Sequence, residues 1–151
     1  MEGFALKSTA FKDGGPIPKK HSCEGDDVNP FLEIRNAPEG VKSFALIVDD
    51  PDAPGGIWDH WLLWNLDPKT QYISEDNLPS GSAQGRNSMG KPKWSGPCPP
   101  SGGGAHRYQF RISALDTMLA LEAGATRSEL EAAMEGHILE TATLVGTYLM
   151  D

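Results

Sequence analysis

Two loop-to-strand junctions, residues 49–61 and 94–108, carry most of the side chains with chemical potential. Prolines in both stretches fix backbone φ and lower the entropy cost of ordering a loop. The polar and aromatic residues concentrated there are Asp50, Asp52, His60, His106, Tyr108, Trp58, Trp61 and Trp94. Each of them alone is more often structural, for example as part of an Asp-Pro-Asp turn. Together they indicate a small pocket with convergent polar groups.

The same side chains allow a metal site or a hydrolase, and their spacing favours neither. Asp50, Asp52, His60 and His106 are acceptable zinc ligands, but no pair has the i, i+4 or Cys-x-x-Cys spacing of a strong metal motif. His60 or His106 beside an aspartate is a candidate general base. No Gly-x-Ser-x-Gly motif supplies a nucleophile, and only water is obvious. We therefore expect no metal, no cofactor and no enzymatic activity, with a hydrolase as the weakest alternative.

Two glycine-rich segments resemble phosphate-binding motifs in part. Residues 85–91 match the Gly-x-x-x-x-Gly-Lys spacing, but Pro92 follows where Ser or Thr and a helix are required. Residues 102–104 precede a predicted strand rather than a helix, although consecutive glycine N–H groups are able to form an anion nest. Neither segment predicts a nucleotide-binding loop.

Charge and length exclude several classes of protein. The chain has 151 residues with 13 basic and 21 acidic side chains, a formal charge of −8. This balance argues against nucleic acid and against an anionic membrane surface. Apolar runs such as 44–48 are far shorter than the ~20 residues that span a bilayer, and residues 1–8 lack signal-peptide features. We expect one cytoplasmic domain, residues 1–151, with no stable membrane insertion.

Strands dominate the expected secondary structure. Seventeen glycines and twelve prolines indicate many turns. Apolar runs or alternating patterns predict strands at 4–8 (the weakest), 31–34, 43–49, 61–66, 106–115 and 141–150. The run at 43–49 is almost continuously apolar, as in a strand buried on both faces.

One helix near the end of the chain is predicted. Thr126 and Glu129 have the spacing of a capping box. An apolar stripe follows at Leu130, Ala133, Met134 and Ile138. We therefore expect a β-rich fold, a sandwich with a peripheral helix.

The motifs resemble those of the phosphatidylethanolamine-binding protein family. The resemblance lies in DPDAP (50–54), WDHWLLWNL (58–66) and the stretch from GPCPP to HRY (96–108), with HSCEG (21–25) and NSMGK (87–91) as support. It spans almost the whole chain and is closest to the short bacterial and archaeal, Raf kinase inhibitor-like branch. The family implies two antiparallel sheets in a sandwich-like fold with a peripheral C-terminal helix.

The resemblance also implies a ligand site. Carried over residue by residue, its pocket comprises Asp50, Asp52, Pro54, Trp58, His60, Gly96, Pro97, His106 and Tyr108. The implied ligands are small anions such as phosphate or acetate and the phosphorylethanolamine head group. His60 and His106 would donate to the anion, especially when protonated, while the aspartates orient them or meet an ammonium group.

Partners follow from the resemblance alone. It implies a homodimer and a non-enzymatic binding protein that regulates a protein partner, or alternatively an inhibitor of a serine protease or protein kinase acting through surface loops. Two cysteines are too few for a disulfide scaffold. The family places the segments of Cys23 and Cys98 near the pocket, so a disulfide between them is conceivable. Cytosolic reduction weighs against it except in hyperthermophiles.

Overall fold

A computed structural model describes residues 3–150. Met1, Glu2 and Asp151, at the ends of the predicted domain, lie outside the described residues. The strands are β1 (Ala5–Lys7), β2 (Gly15–Pro16), β3 (Leu32–Arg35), β4 (Ser43–Asp50), β5 (Trp58–Leu66), β6 (Tyr72–Ile73), β7 (Ala83–Gln84), β8 (His106–Leu115) and β9 (Ile138–Tyr148). A 3-10 turn covers Lys19–His21, and helix α1 covers Arg127–Met134.

The strands form two sheets. The larger sheet has the order β2-β9-β8-β4-β5-β7, and the smaller has the order β1-β3-β6. Neighbouring strands are antiparallel except for the short parallel pair β2–β9. This arrangement confirms the expected mainly-β, two-sheet fold.

Strand β4 is buried along its whole length because both faces of the large sheet are covered. Phe44, Leu46 and Val48 pack in the core shared with the smaller sheet. Ala45 and Ile47 point the other way and join a second apolar cluster that includes residues of α1. The continuous apolar run is the pattern expected for such a strand.

Helix α1 begins as predicted but is shorter. The Thr126 side chain accepts from the Glu129 N–H and the Glu129 carboxylate accepts from the Thr126 N–H, forming the capping box. Leu130 and Met134 are buried against the sheet. The prediction that Ile138 continues the helical stripe is wrong, because Gly136 adopts φ +82°, a left-handed conformation that ends helices. Ile138 instead begins β9 and is exposed.

Other strand boundaries shift by a few residues. β5 begins at Trp58 rather than at 61, and β4 includes Asp50. The predicted last strand is β9, which begins at Ile138 and lies between β2 and β8. The two-residue strands β2, β6 and β7 were not predicted because so short a pairing has no sequence period. No helix within residues 3–150 is long and apolar enough to cross a membrane.

Candidate functional site

Three central strands of the large sheet bring the candidate side chains to one end. β4 ends at Asp50, while its antiparallel neighbours β5 and β8 begin at Trp58 and His106. The register pairs Asp50 with Trp58 and Asp49 with Gln109. The end of one strand and the starts of two others therefore meet at the same edge.

A β-bulge in β5 directs His60 to the pocket side. Val48 pairs with Trp61 and Asp49 pairs with Asp59, so His60 is an extra residue opposite β4. Strict alternation from Leu62 would place His60 on the face that α1 covers. The bulge changes that alternation, and His60 lines the pocket while Asp59 contacts Arg127 of α1.

The strand ends, two loops and the turn that contains Met89 enclose a cavity of about 420 Å³. Its lining residues are Asp50, Ala53, Pro54, Trp58, His60, Met89, Ser95, Gly96, Cys98, Pro99, Pro100, His106 and Tyr108. Seven of the nine predicted pocket residues line it together, and Asp52 and Pro97 do not.

Asp50 orients His106 at the floor of the cavity. The Asp50 Oδ2 atom lies 2.7 Å from Nδ1 of His106, and both side chains are buried. The other carboxylate oxygen accepts from the Asp52 N–H at 2.8 Å. Both Asp50 oxygens are therefore engaged, and the Nε2 atom of His106 has no hydrogen-bond partner among residues 3–150.

His60 is held by the opposite loop. Its Nδ1 atom lies 2.5 Å from the carbonyl oxygen of Ser95, which only accepts, so Nδ1 carries the proton. Burial lowers the pKa of His60, against the raising effects of the Ser95 carbonyl and of the Asp50 charge. The neutral ring therefore directs an unprotonated Nε2, for which the described chain supplies no partner.

Tyr108 contributes a buried hydroxyl to the same cavity. Its side chain is 1% exposed, and its Oη atom has no hydrogen-bond partner in the described structure. Burial raises the pKa of Tyr108 far above its ordinary value, and the Asp50 charge adds to the effect. The hydroxyl is therefore a neutral donor. The His60 ring packs edge-on against the Tyr108 ring, with centroids 5.2 Å apart.

Asp52 holds the loop after β4 instead of lining the cavity. Its carboxylate accepts from Nε of Arg107 at 2.9 Å and Nη2 at 2.8 Å, and also from the Arg107 N–H at 2.9 Å. These bonds lower the pKa of Asp52 to about 2. Because β4 ends at Asp50, Asp52 lies in the following turn and its carboxylate is committed to Arg107.

The loop containing Gly96 and Pro97 is fastened to the segment around the 3-10 turn. The Gly96 N–H donates to Asp27 Oδ1 at 2.7 Å, and the Pro97 carbonyl accepts from the Cys23 N–H at 3.1 Å. A Cβ atom on Gly96 would lie 1.9 Å from the His21 carbonyl oxygen, so only glycine fits there. Pro97 is buried and acts through its backbone.

A disulfide completes this attachment. Cys23 and Cys98 are bonded, with Cα atoms 5.5 Å apart. Both residues are exposed, and Cys98 lines the cavity. The sequence had left this pairing open. Within residues 3–150, no group of three or more His, Cys, Asp or Glu residues is placed to hold a metal ion.

Several lining residues were not predicted as part of the site. They are Ala53, Met89, Ser95, Pro99 and Pro100. Met89 enters from a separate turn, which Asn87 organises by accepting from the Met89 N–H at 2.9 Å and donating to Ser95 Oγ at 2.9 Å. Hydrophobic periodicity gives no signal for such a turn, although its sequence, NSMGK (87–91), is one of the motifs that carry the family resemblance.

The fold and cavity define a class: a mainly-β, two-sheet protein with a His-Asp-Tyr pocket at one end of its larger sheet. Residues 7–149 match the model of the family described as phosphatidylethanolamine-binding protein. A UPF0098 protein of Pyrococcus horikoshii is 47% identical over 97% of this chain and 78% of its own length. The chain belongs to the phosphatidylethanolamine-binding protein family, in its bacterial and archaeal branch.

Two solved structures agree with this assignment. A phosphatidylethanolamine-binding protein homologue, CT736 of Chlamydia trachomatis, is 42% identical with a TM-score of 0.94, covering all of both chains. YbcL of E. coli, described as a member of the mammalian family, is 32% identical with a TM-score of 0.93, covering 99% of this chain and all of its own. The family predicted from the sequence motifs is confirmed.

Proposed function

We propose that this protein is a non-enzymatic binding protein whose pocket takes a small oxyanion or a phosphorylated head group. The buried Tyr108 hydroxyl carries this proposal, because it lines the cavity beside the Asp50 carboxylate but makes no hydrogen bond of normal geometry to the described residues. A buried polar group left unsatisfied costs about 1–3 kcal/mol. A ligand oxygen that accepts from Tyr108 would recover this cost.

The two histidines support an oxyanion in the same place. Each is fixed through Nδ1, His60 by the Ser95 carbonyl and His106 by Asp50. Each Nε2 atom therefore remains available to a ligand in the cavity. Two imidazoles and one phenol at the base of a small cavity suit the several oxygens of a phosphate group.

The cavity mouth suits the organic part of such a ligand. Apolar side chains form its walls, among them Trp58, Met89 and Pro100. Trp58 is 40% exposed and Met89 is 55% exposed. We extend the proposal to a protein partner that contacts this exposed mouth and responds to occupancy of the pocket, since exposed apolar groups are typical of interaction surfaces.

The hydrolase alternative receives less support from the geometry. Ser95 is the one lining serine, and its hydroxyl accepts from Asn87 at 2.9 Å. His60 contacts the Ser95 carbonyl oxygen rather than the hydroxyl, so it does not activate that group. The lining cysteine, Cys98, is in the disulfide.

An amide NMR titration with phosphate and with O-phosphorylethanolamine tests the proposal. We expect saturable shifts within residues 50–60 and 95–108, and their loss in His60→Ala. His137→Ala is the matched control, because His137 pairs with Asp116 outside the cavity and should leave binding intact. If millimolar concentrations of either ligand cause no shifts in the wild type, the proposed function is wrong.

A further inference from the structure

At His60 the pocket presents a hydrogen-bond acceptor where an oxyanion requires a donor. The Ser95 carbonyl oxygen is able only to accept, so the contact at 2.5 Å fixes the proton of neutral His60 on Nδ1. The Nε2 atom then has a lone pair. An oxyanion oxygen without a proton would meet that lone pair unfavourably.

The charges around His60 do not supply a free cation. Asp50 of β4 lies on the same side of the sheet, paired with His106 of β8, and Tyr108 of β8 is neutral. Asp27, from the loop after the 3-10 turn, and Asp49, on the opposite face of β4, are the other charges that act on His60. Arg107, near the cavity, is already bonded to Asp52.

We propose that the pocket binds an oxyanion together with one proton, which lies between an oxygen of the ligand and Nε2 of His60. The inference rests on the proposed function and deepens it by specifying the proton that binds with the oxyanion. The ligand class consists of oxyanions that carry a proton or recruit one at neutral pH, namely inorganic phosphate and phosphate monoesters. Fully ionised oxyanions such as sulfate are disfavoured.

The proton balance differs among three probes. Inorganic phosphate keeps a proton throughout the neutral range and brings it to Nε2. A monoester such as ethyl phosphate, whose second pKa is about 6, is mostly a dianion at about pH 8 and must take one proton from solvent. Sulfate has no proton to give, so binding requires protonation of the buried His60. No bond between heavy atoms forms or breaks in any of these steps.

Calorimetry of the full chain in pairs of buffers with different ionisation enthalpies measures this proton. At about pH 8 we expect close to one proton taken up per ethyl phosphate and close to none per inorganic phosphate. The Kd for ethyl phosphate should rise about tenfold per pH unit above neutrality. Sulfate should bind at least about tenfold more weakly than inorganic phosphate, since it leaves the acceptor at Nε2 unmatched.

His60→Gln sharpens the test because its amide keeps an N–H donor but does not titrate. In this variant we expect ethyl phosphate to bind without proton uptake, and the preference for phosphate over sulfate to shrink. His137→Gln is the matched control and should keep the wild-type proton count. Ring nitrogen NMR of the wild type gives a result that needs no variant: the free protein should show His60 protonated at Nδ1 alone.

Each result decides the proposal. Proton uptake with ethyl phosphate, its loss in His60→Gln and a Nδ1-protonated His60 support it. Ethyl phosphate binding at about pH 8 without proton uptake, or equal affinity for sulfate and phosphate, would overturn the inference while leaving the anion pocket standing. If none of the three anions binds at millimolar concentration, the proposed function fails and this inference fails with it.

Discussion

Consecutive residues on β4 and β5 build two different regions on the two faces of the large sheet. Asp49 and Asp59 point to the face covered by α1, whereas Asp50 and His60 point to the cavity. On the α1 face, Arg127 donates to Asp49 at 2.6 Å and to Asp59 at 2.8 Å, and Arg111 also donates to Asp49. Charges there compensate one another within the protein.

The cavity face has comparable polar groups, but apart from the Asp50–His106 pair they leave several atoms without a partner. Tyr108 Oη and the Nε2 atoms of His60 and His106 have no partner within residues 3–150. Asp49 also has one oxygen without a hydrogen bond, but its charge is balanced by two guanidinium groups. Unsatisfied donors and acceptors, rather than the number of charged residues, therefore distinguish the cavity face from the structural one.

The largest expected effect on the free energy of unfolding comes from removing the disulfide that holds the cavity wall. Replacing Cys23 and Cys98 together by serine should lower the free energy of unfolding by about 4 kcal/mol. The reason is that the bond closes a long loop, since the two cysteines are 75 residues apart. Denaturant unfolding with and without reductant measures the effect. Reductant should not change the unfolding of the double variant. Two freely alkylated thiols in the native wild type would contradict the prediction.

The second-largest expected effect on the free energy of unfolding comes from removing the Arg127 guanidinium group on the α1 face. Arg127→Met leaves Asp59 without its partner and Asp49 with Arg111 alone, which should cost about 3 kcal/mol because the pair is largely buried. The matched control is Arg107→Met, whose arginine side chain is 59% exposed, so its free energy of unfolding should fall much less than that of Arg127→Met. Both are measured by urea unfolding. If both variants lose the same free energy of unfolding, the prediction that the buried pairs of Arg127 stabilise the fold more than the exposed pair of Arg107 is wrong.

The sequence predicted the cavity residues better than the network behind them. His60, His106 and Tyr108 were found because chemically capable side chains cluster at strand junctions. The ion pairs on the other face were not predicted. Arg111 and Arg127 lie 62 and 78 residues from Asp49 in the chain and contact it only in the folded protein. Charged residues on a strand and on a capped helix give no local signal that they will pair.

Two local features also escaped prediction. The bulge that turns His60 to the cavity depends on the register between β4 and β5, which an isolated strand does not reveal. The family resemblance placed Asp52 in the pocket together with Asp50. The strand stops at Asp50, and Asp52 finds Arg107. Register and strand end, rather than residue type, decide these cases.

Tyr108→Phe separates the two faces most directly. Removing an unsatisfied buried hydroxyl should leave the free energy of unfolding unchanged or raise it by up to about 1 kcal/mol. The same change should weaken phosphate binding about tenfold, because a donor to the ligand is lost. Thermal unfolding and calorimetric titration measure the two effects. A clear loss of stability with unchanged binding would show that Tyr108 is structural, like the α1 network.

The smallest expected effect lies at the exposed edge between these regions, in the pair of Asp52 with Arg107. Hydrogen bonds from Arg107 lower the pKa of Asp52 to about 2, below its ordinary 3.8. A carboxyl whose pKa is depressed by folding stabilises the protein above its unfolded pKa and loses that stabilisation as pH falls towards the folded pKa. The contribution should therefore vanish between about pH 4 and pH 2, and solvent screening keeps it below about 1 kcal/mol.

Carboxyl ¹³C NMR follows Asp52 directly. In Arg107→Gln its midpoint should rise towards the ordinary value while anion binding persists, since Asp52 acts on the loop and not on the ligand. A large loss of binding in that variant would instead place Asp52 and Arg107 within the binding face.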